Sequence, residues 1–234
     1  MVIREDVPTY MTELKRWLEQ TRNEPLESMG DFFAARLDGY EAHMQLWSAA
    51  YRRMAQLVDA DARTLLDLGC GTGLELDELL RLHPDLAVKG VDLSPNMLSR
   101  LKQKHPQVQT VQADYFAYDF GVERYDAIVS FETLHHFTAD AKRALFAKLL
   151  RALKPGRAYL QADYIACCDE EELLLQRACE ERRARDGVPP ERFVHFDTPL
   201  TLAHELALLR DVGFHAEAVE CIAGACFILA QKKG

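Results

Sequence analysis

Leu65-Leu66-Asp67-Leu68-Gly69-Cys70-Gly71-Thr72-Gly73-Leu74-Glu75 is the stretch that decides the fold. A short apolar strand ends in an acid, three glycines follow at alternate positions, and a helical pattern begins. Glycine lacks Cβ, so the backbone can turn sharply and a ligand can approach it closely. Strand, glycine turn and helix in this order make the nucleotide-cradling corner of a doubly wound α/β sheet. The spacing is G-x-G-x-G, with Leu74 where the dinucleotide fingerprint G-x-G-x-x-G places its third glycine.

Strands and helices alternate outward from this corner. Strands are predicted at 64–68, 87–92, 108–113, 125–131 and 157–162, and helices at 74–82, 95–104 and 139–153. Ser94 is the expected N-cap of the second helix, with Pro95 in its first turn. A charged helical insertion at 169–186 leads into a loop containing Pro189-Pro190. A helix at 202–211 and two strands, 214–221 and 225–231, close the chain around a turn at Gly224. Alternating elements predict a mostly parallel sheet between helices, with an antiparallel edge at the end. Upstream, 10–20 and 31–58 read as helices, the second interrupted near Gly39. Its aromatics Phe32, Phe33, Trp47 and Tyr51 read as packing residues. Tyr40, at the expected break and carrying a polar tip, reads as part of a lid.

Three acids follow three successive strands: Asp67, Asp92 and Asp114. Asp92 lies 19 residues after Gly73, where a carboxylate can accept from both hydroxyls of a ribose. Asp114 can accept from an exocyclic amine, with the neighbouring Tyr115 N–H serving a ring nitrogen. With Asp67 before the glycines, the run resembles motif I of the class I S-adenosylmethionine-dependent methyltransferases. Asp92-Leu93-Ser94-Pro95-Asn96-Met97-Leu98 resembles the family's D-x-S-x-x-M-L segment, and Tyr125-Asp126…Leu134-His135-His136-Phe137 its Y-D-x-V…L-H-H-F signature. Lys154-Pro155-Gly156-Arg157 is similar to the L-K-P-G-G turn, with Arg157 replacing the second glycine.

The resemblance implies a Rossmann-like sheet in the order 3-2-1-4-5-7-6 with helices on both faces. It implies S-adenosyl-L-methionine as cofactor, held by Asp67, Gly69, Cys70, Gly71, Gly73, Asp92, Leu93, Met97, Asp114, Tyr115, Phe131 and His135. Residues 1–60 are expected to form a helical cap on a cofactor domain at 61–234, the insertion at about 165–200 included, as one compact unit. His135, Tyr164, His195 and Tyr40 are the candidates near the reacting centre. None is identified as a base, and no metal is expected. A nicotinamide-dependent oxidoreductase, and a non-methyl user or binder of the same cofactor, are the competing readings.

The chain has 234 residues and a formal net charge of −9, which disfavours non-specific binding to nucleic acid. No apolar run is long enough to span a membrane, and the first residues do not resemble a signal peptide. The expected setting is cytoplasmic and the expected partner a small-molecule methyl acceptor, with a homodimer left open. Six cysteines include the vicinal Cys167-Cys168 but no C-x-x-C, and all are expected to be reduced thiols.

Overall fold

The computed structural model describes residues 6–189 and 191–234, side chains 34, 37 and 38 apart. Helices α1 (Val7–Gln20), α2 (Met29–Met44) and α3 (Ser48–Leu57) precede β1 (Thr64–Leu68). Then follow α4 (Leu74–Leu82), β2 (Ala87–Asp92), α5 (Pro95–Lys104), β3 (Gln109–Gln112) and β4 (Tyr125–Phe131). The remainder is α6 (Ala139–Ala152), β5 (Leu153–Tyr164), α7 (Asp169–Asp186), α8 (Leu202–Asp211), β6 (His215–Ile222) and β7 (Ala225–Gln231).

The seven strands lie in the order β3-β2-β1-β4-β5-β7-β6, as expected. β1 pairs in parallel with both β2 and β4, so the direction of sheet building reverses there. A crevice therefore opens beyond the carboxyl ends of these strands. All seven residues of β4 are buried, Asp126 and Ser130 included, as in a strand covered on both faces. Alternate side chains go to opposite faces. Leu65 joins Met54, Leu76, Leu79 and Leu101 of α3, α4 and α5. Leu66 and Leu68 join Leu145, Phe146, Leu149 and Leu209 of α6 and α8. Ser94 Oγ accepts from Met97 N–H at 3.3 Å, confirming the expected cap of α5.

Four details depart from the sequence reading. α2 runs through Gly39, and the break falls at a 3₁₀ turn, Gln45–Trp47. A Cβ on Gly39 would meet nothing, so that glycine marks neither a turn nor a close approach. The first sixty residues also divide among different partners. α1 packs Met11 and Leu14 on Leu175 and Cys179 of α7, away from the sheet, while α3 is part of the sheet core. Third, β5 begins at Leu153, so the Lys154–Arg157 turn is an irregular start of the strand, with a register shift against β4. Arg157 there makes an ion pair with Asp61 at 2.6 Å. Finally, Cys221 and Cys226 face each other across the β6–β7 hairpin and are disulfide-bonded, where reduced thiols were expected. The hairpin turn, Ala223 and Gly224 with φ of 51° and 91°, is the two-residue type that brings such a pair together.

Lys142 of α6 and Glu205 of α8 are both buried, 2.9 Å apart, and Gln161 Nε2 donates to the other Glu205 oxygen at 2.7 Å. Removing one charge strands the other in an apolar interior. Lys142→Met is expected to lower unfolding free energy by about 3–5 kcal/mol, measured by urea denaturation. Adding Glu205→Gln should recover part of that loss. A single variant within ~0.5 kcal/mol of the parent would show that the pair is not the buried tie between α6 and α8.

Candidate active site

Gly69, Gly71 and Gly73 all have left-handed φ, of 66°, 48° and 75°. At Gly69 the requirement is also steric, since a Cβ would sit 2.3 Å from Thr133 Oγ1. Gly69 N–H donates to Val91 O at 2.8 Å, and Gly73 N–H to Cys70 O at 2.8 Å. Asp92, at the end of β2, closes the arrangement. Its Oδ2 accepts from Gly71 N–H at 3.0 Å and its Oδ1 from Ser94 N–H at 2.7 Å. Burial pushes the Asp92 carboxyl up while these donors oppose it.

A cleft of about 770 Å³, its open mouth included, runs past this turn. Of the expected cofactor residues, Gly69, Gly71, Asp92, Leu93, Met97, Asp114, Tyr115 and Phe131 line it. Asp114 Oδ1 accepts from Phe116 N–H at 2.8 Å, which fixes its carboxylate. The Tyr115 hydroxyl lies 3.2 Å from Thr133 Oγ1. Phe33 and Tyr40 of α2 cover the cleft, with Phe193 from the loop after α7. The Tyr40 hydroxyl comes within 3.5 Å of where a Gly71 Cβ would be.

Asp67, Cys70, Gly73 and His135 were expected in this wall but lie behind it. Gly73 is the N-cap residue of α4. Cys70 is buried, its Sγ 2.7 Å from where a Cβ on Gly90 would be, and burial pushes its thiol up. It is therefore an unreactive packing group. Asp67 is fully buried, and neither of its oxygens meets a backbone or hydroxyl donor. Its neighbour is the acid Glu75, and the two can share a proton. Burial, then Glu75, holds Asp67 well above the ordinary carboxylate range, and burial lifts Glu75 to about 7.

Beyond β4 the cleft ends in a cluster of titratable groups. Glu132 has a positive φ of 47°, and burial raises its carboxyl to about 8. His135 Nδ1 lies 2.5 Å from Asp163 Oδ1, and the other Asp163 oxygen accepts from Leu134 N–H at 2.9 Å. His136 lines the cleft in place of His135. Its Nδ1 is 3.2 Å from Asp197 Oδ1. Burial drops His195 to about 4, and its ring stacks on Phe32 with centroids 3.3 Å apart. His195, Asp197 and Tyr164 line a second, wider cavity between α1 and α7. There the Tyr10 hydroxyl donates to Glu171 Oε1 at 2.6 Å, and Tyr164 donates to the same oxygen. The four candidates for the reacting centre thus separate: Tyr40 in the first cleft, His135 behind it, Tyr164 and His195 in the second cavity.

Sequence reading overlooked Glu132, Asp163 and Asp197, and gave His136 no place in the wall. Position at a strand end was an available signal for Glu132 and Asp163. Asp197 comes from an irregular loop and carried none.

Residues 65–156 match the family described as a methyltransferase domain. A trans-aconitate 2-methyltransferase from Azoarcus sp. is 36% identical over 108 residues, covering 46% of this chain and 42% of that protein. The mitochondrial ubiquinone biosynthesis O-methyltransferase of Candida albicans is 32% identical over 111 residues, covering 44% and 33%. The chain spans less than half the length of these curated relatives. Among solved structures, an O-methyltransferase family protein from Burkholderia thailandensis superposes with a TM-score of 0.71 at 20% identity, covering 97% of this chain and 70% of that one. Human N-acetylserotonin methyltransferase, solved with S-adenosylmethionine, gives 0.64 at 20% identity, covering 100% and 61%. The stretch from 65 to 156, which carries the glycine turn, Asp92 and Asp114, is thus similar to a methyltransferase domain, and the sheet around it has the fold of the solved methyltransferases.

The Asp67–Glu75 pair gives the fold a pH signature. The folded protein retains the Glu75 proton to about pH 7, whereas an unfolded chain releases it near ~4.3. Between those values the folded state binds more protons, so this pair's contribution to stability falls as pH rises. Glu75→Gln stays neutral throughout. Relative to the parent it is expected to gain about 1–3 kcal/mol on going from about pH 5 to about pH 8, read from urea melts at both. An unchanged difference would mean that Glu75 titrates normally.

Proposed function

We propose that the chain transfers the methyl group of S-adenosylmethionine to a small-molecule acceptor. The supporting observation is the Asp92 carboxylate, fixed between the Gly71 and Ser94 N–H groups where β2 meets the cleft. A carboxylate so held keeps lone pairs for the two ribose hydroxyls and pays little entropy to use them. Leu93 and Met97 would flank the nucleoside. Asp114 would accept from the adenine amine while Tyr115 N–H serves a ring nitrogen. At the methionine end, Glu132, which lines the cleft, would meet the ammonium group. The relatives that match are methyltransferases, which weighs against the nicotinamide reading.

The bound cofactor supplies an activated sulfonium, so the chain's own task is to align a nucleophile and exclude water. Tyr40 and Phe33 of α2 cover the cleft and would do the latter. The acceptor would enter through the second cavity, whose walls include Tyr10, Trp17, Phe32 and Phe196. These come from segments outside the matched 65–156 stretch. A net charge of −9 favours a small molecule over RNA or DNA.

Calorimetry with S-adenosylhomocysteine tests the reading directly. Asp92→Ala is expected to lose about 1.5–3 kcal/mol of binding, a roughly 10–150-fold weaker Kd. A folded variant with unchanged Kd would remove Asp92 from the site. Absence of binding by the parent would refute the proposal.

The lid role of α2 is open to hydrogen exchange. The cofactor is expected to slow exchange at residues 36–44 as well as in the 69–73 turn. Protection confined to the turn, with 36–44 already slow in the free protein, would make α2 permanent packing.

A further inference from the structure

Three carboxylates, Glu132, Asp163 and Asp197, stand within 4 Å of the His135 ring nitrogens. Among the described residues no lysine or arginine makes an ion pair with any of the three; their ion-pair contacts are to His135 and His136. Burial holds Glu132 towards its neutral form, which leaves Asp163 and Asp197 as two anions against two imidazoles, and buried anions need a cation. His135 Nδ1 is committed to Asp163 at 2.5 Å, where the carboxylate can only accept. In the neutral ring, Nε2 is then a bare lone pair. It faces Asp197 Oδ1, another acceptor, at 3.6 Å. Two acceptors turned towards each other are repulsive unless something positive lies between them. The same oxygen is 3.2 Å from His136 Nδ1, and one ligand atom from each of the three residues lies within 4.8 Å of the others.

We propose that His135 Nε2, His136 Nδ1 and Asp197 Oδ1 bind a divalent transition-metal ion of the Zn²⁺, Fe²⁺ or Co²⁺ type. Ligand atoms ~2.1 Å from a tetrahedral ion stand about 3.4 Å from one another, and the two contacts of 3.2 and 3.6 Å bracket that value. A third-party carboxylate on the far nitrogen of a ligating histidine is the usual orienting group, and Asp163 occupies that place. Two imidazoles and one carboxylate suit borderline ions rather than Mg²⁺ or Ca²⁺, which prefer oxygen. His136 lines the cofactor cleft and Asp197 the second cavity, so the ion would sit where the two meet, with its remaining positions open. The inference does not depend on the proposed methyl transfer: it rests on the two contacts to Asp197, and the ion would replace the hydrogen bond between His136 Nδ1 and Phe196 O at 3.3 Å.

Tag-free full-length chain, stripped with a chelator, is loaded with Zn²⁺, gel-filtered and assayed by inductively coupled plasma mass spectrometry. Co²⁺ titration, read by visible d–d absorption, reports coordination by nitrogen and oxygen. About one Zn²⁺ per chain is expected, undisplaced by excess Mg²⁺ or Ca²⁺. His136→Ala and Asp197→Asn should each abolish retention, and Asp163→Asn should weaken Co²⁺ binding about 10–100-fold. A Cys167→Ser/Cys168→Ser variant should retain the ion. Asp197 is 42% exposed, so its substitution leaves the core intact and keeps the test valid should His136→Ala fail to fold. Three results would overturn the proposal: no retained metal, retention that survives both ligand substitutions, or retention that follows the cysteine pair. The first would assign the positive charge to a proton on His135. Binding of S-adenosylhomocysteine by the same preparations, measured separately, keeps a failure of the function apart from a failure of the metal site.

Discussion

The two hydrogen bonds that end on Asp92 hold the site together. One comes from Gly71 in the turn after β1, the other from Ser94 at the start of α5. A single carboxylate therefore ties the tips of two neighbouring strands and the entrance of a helix. The tie works only because Gly69 and Gly71 adopt left-handed backbone conformations that place the Gly71 N–H within reach. The sheet sets the rest of the geometry. With β1 between β2 and β4, the residues after all three strands are forced to one end.

Charge at that end is sorted by burial. Asp67 and Glu75, packed behind the turn, are held towards their neutral forms. Asp92 and Asp114 keep backbone donors. Beyond β4 the acids instead meet imidazoles, and the Asp163 carboxyl is drawn down by His135. This end of the sheet thus carries acids in three settings: proton-sharing, N–H-bound and histidine-bound. Each setting implies a different kind of cationic or hydroxyl-bearing group nearby. A fold with this much buried carboxylate gives up stability to keep it, which is the common pattern where a site must recognise charge.

The elements outside the sheet are divided between the two cavities. α2 lies over the first with Phe33 and Tyr40, while α1 and α7 wall the second. Phe32 and His195, stacked on each other, join the two regions, as do the His136–Asp197 contacts. Movement of α2 would therefore be felt on both sides of the junction. The cluster holding α1 against α7 is separate from the two clusters that grip the sheet, and Glu172 ties α7 to the start of α8 through Thr201 N–H at 2.6 Å.

Most of the fold was legible in the chain because its signals are local. β1, β2, β4, α4, α5 and α7 begin and end where periodicity, caps and glycines placed them, and strand order followed from the motif resemblance. The glycine turn with Asp92 and Asp114 was legible for the same reason: these residues stand at the ends of strands that the sequence marks. Pattern could not say which residues of the motif face the cleft. Asp67, Cys70 and His135 carry the signature yet lie behind the wall, because strand pleating and helix packing decide which way a side chain turns. Nor could it place the break after α2, since Gly39 resembles a hinge and the chain instead turns at Gln45–Trp47. Asp197, distant in sequence and on an irregular loop, reaches His135 and His136 only when the insertion folds back over β4 and β5. The sequence by itself determined the strands, the helices and the glycine turn with its flanking acids, because these are written in short-range spacing. Tertiary structure alone decided which acids and histidines meet, because that depends on contacts between segments far apart along the chain.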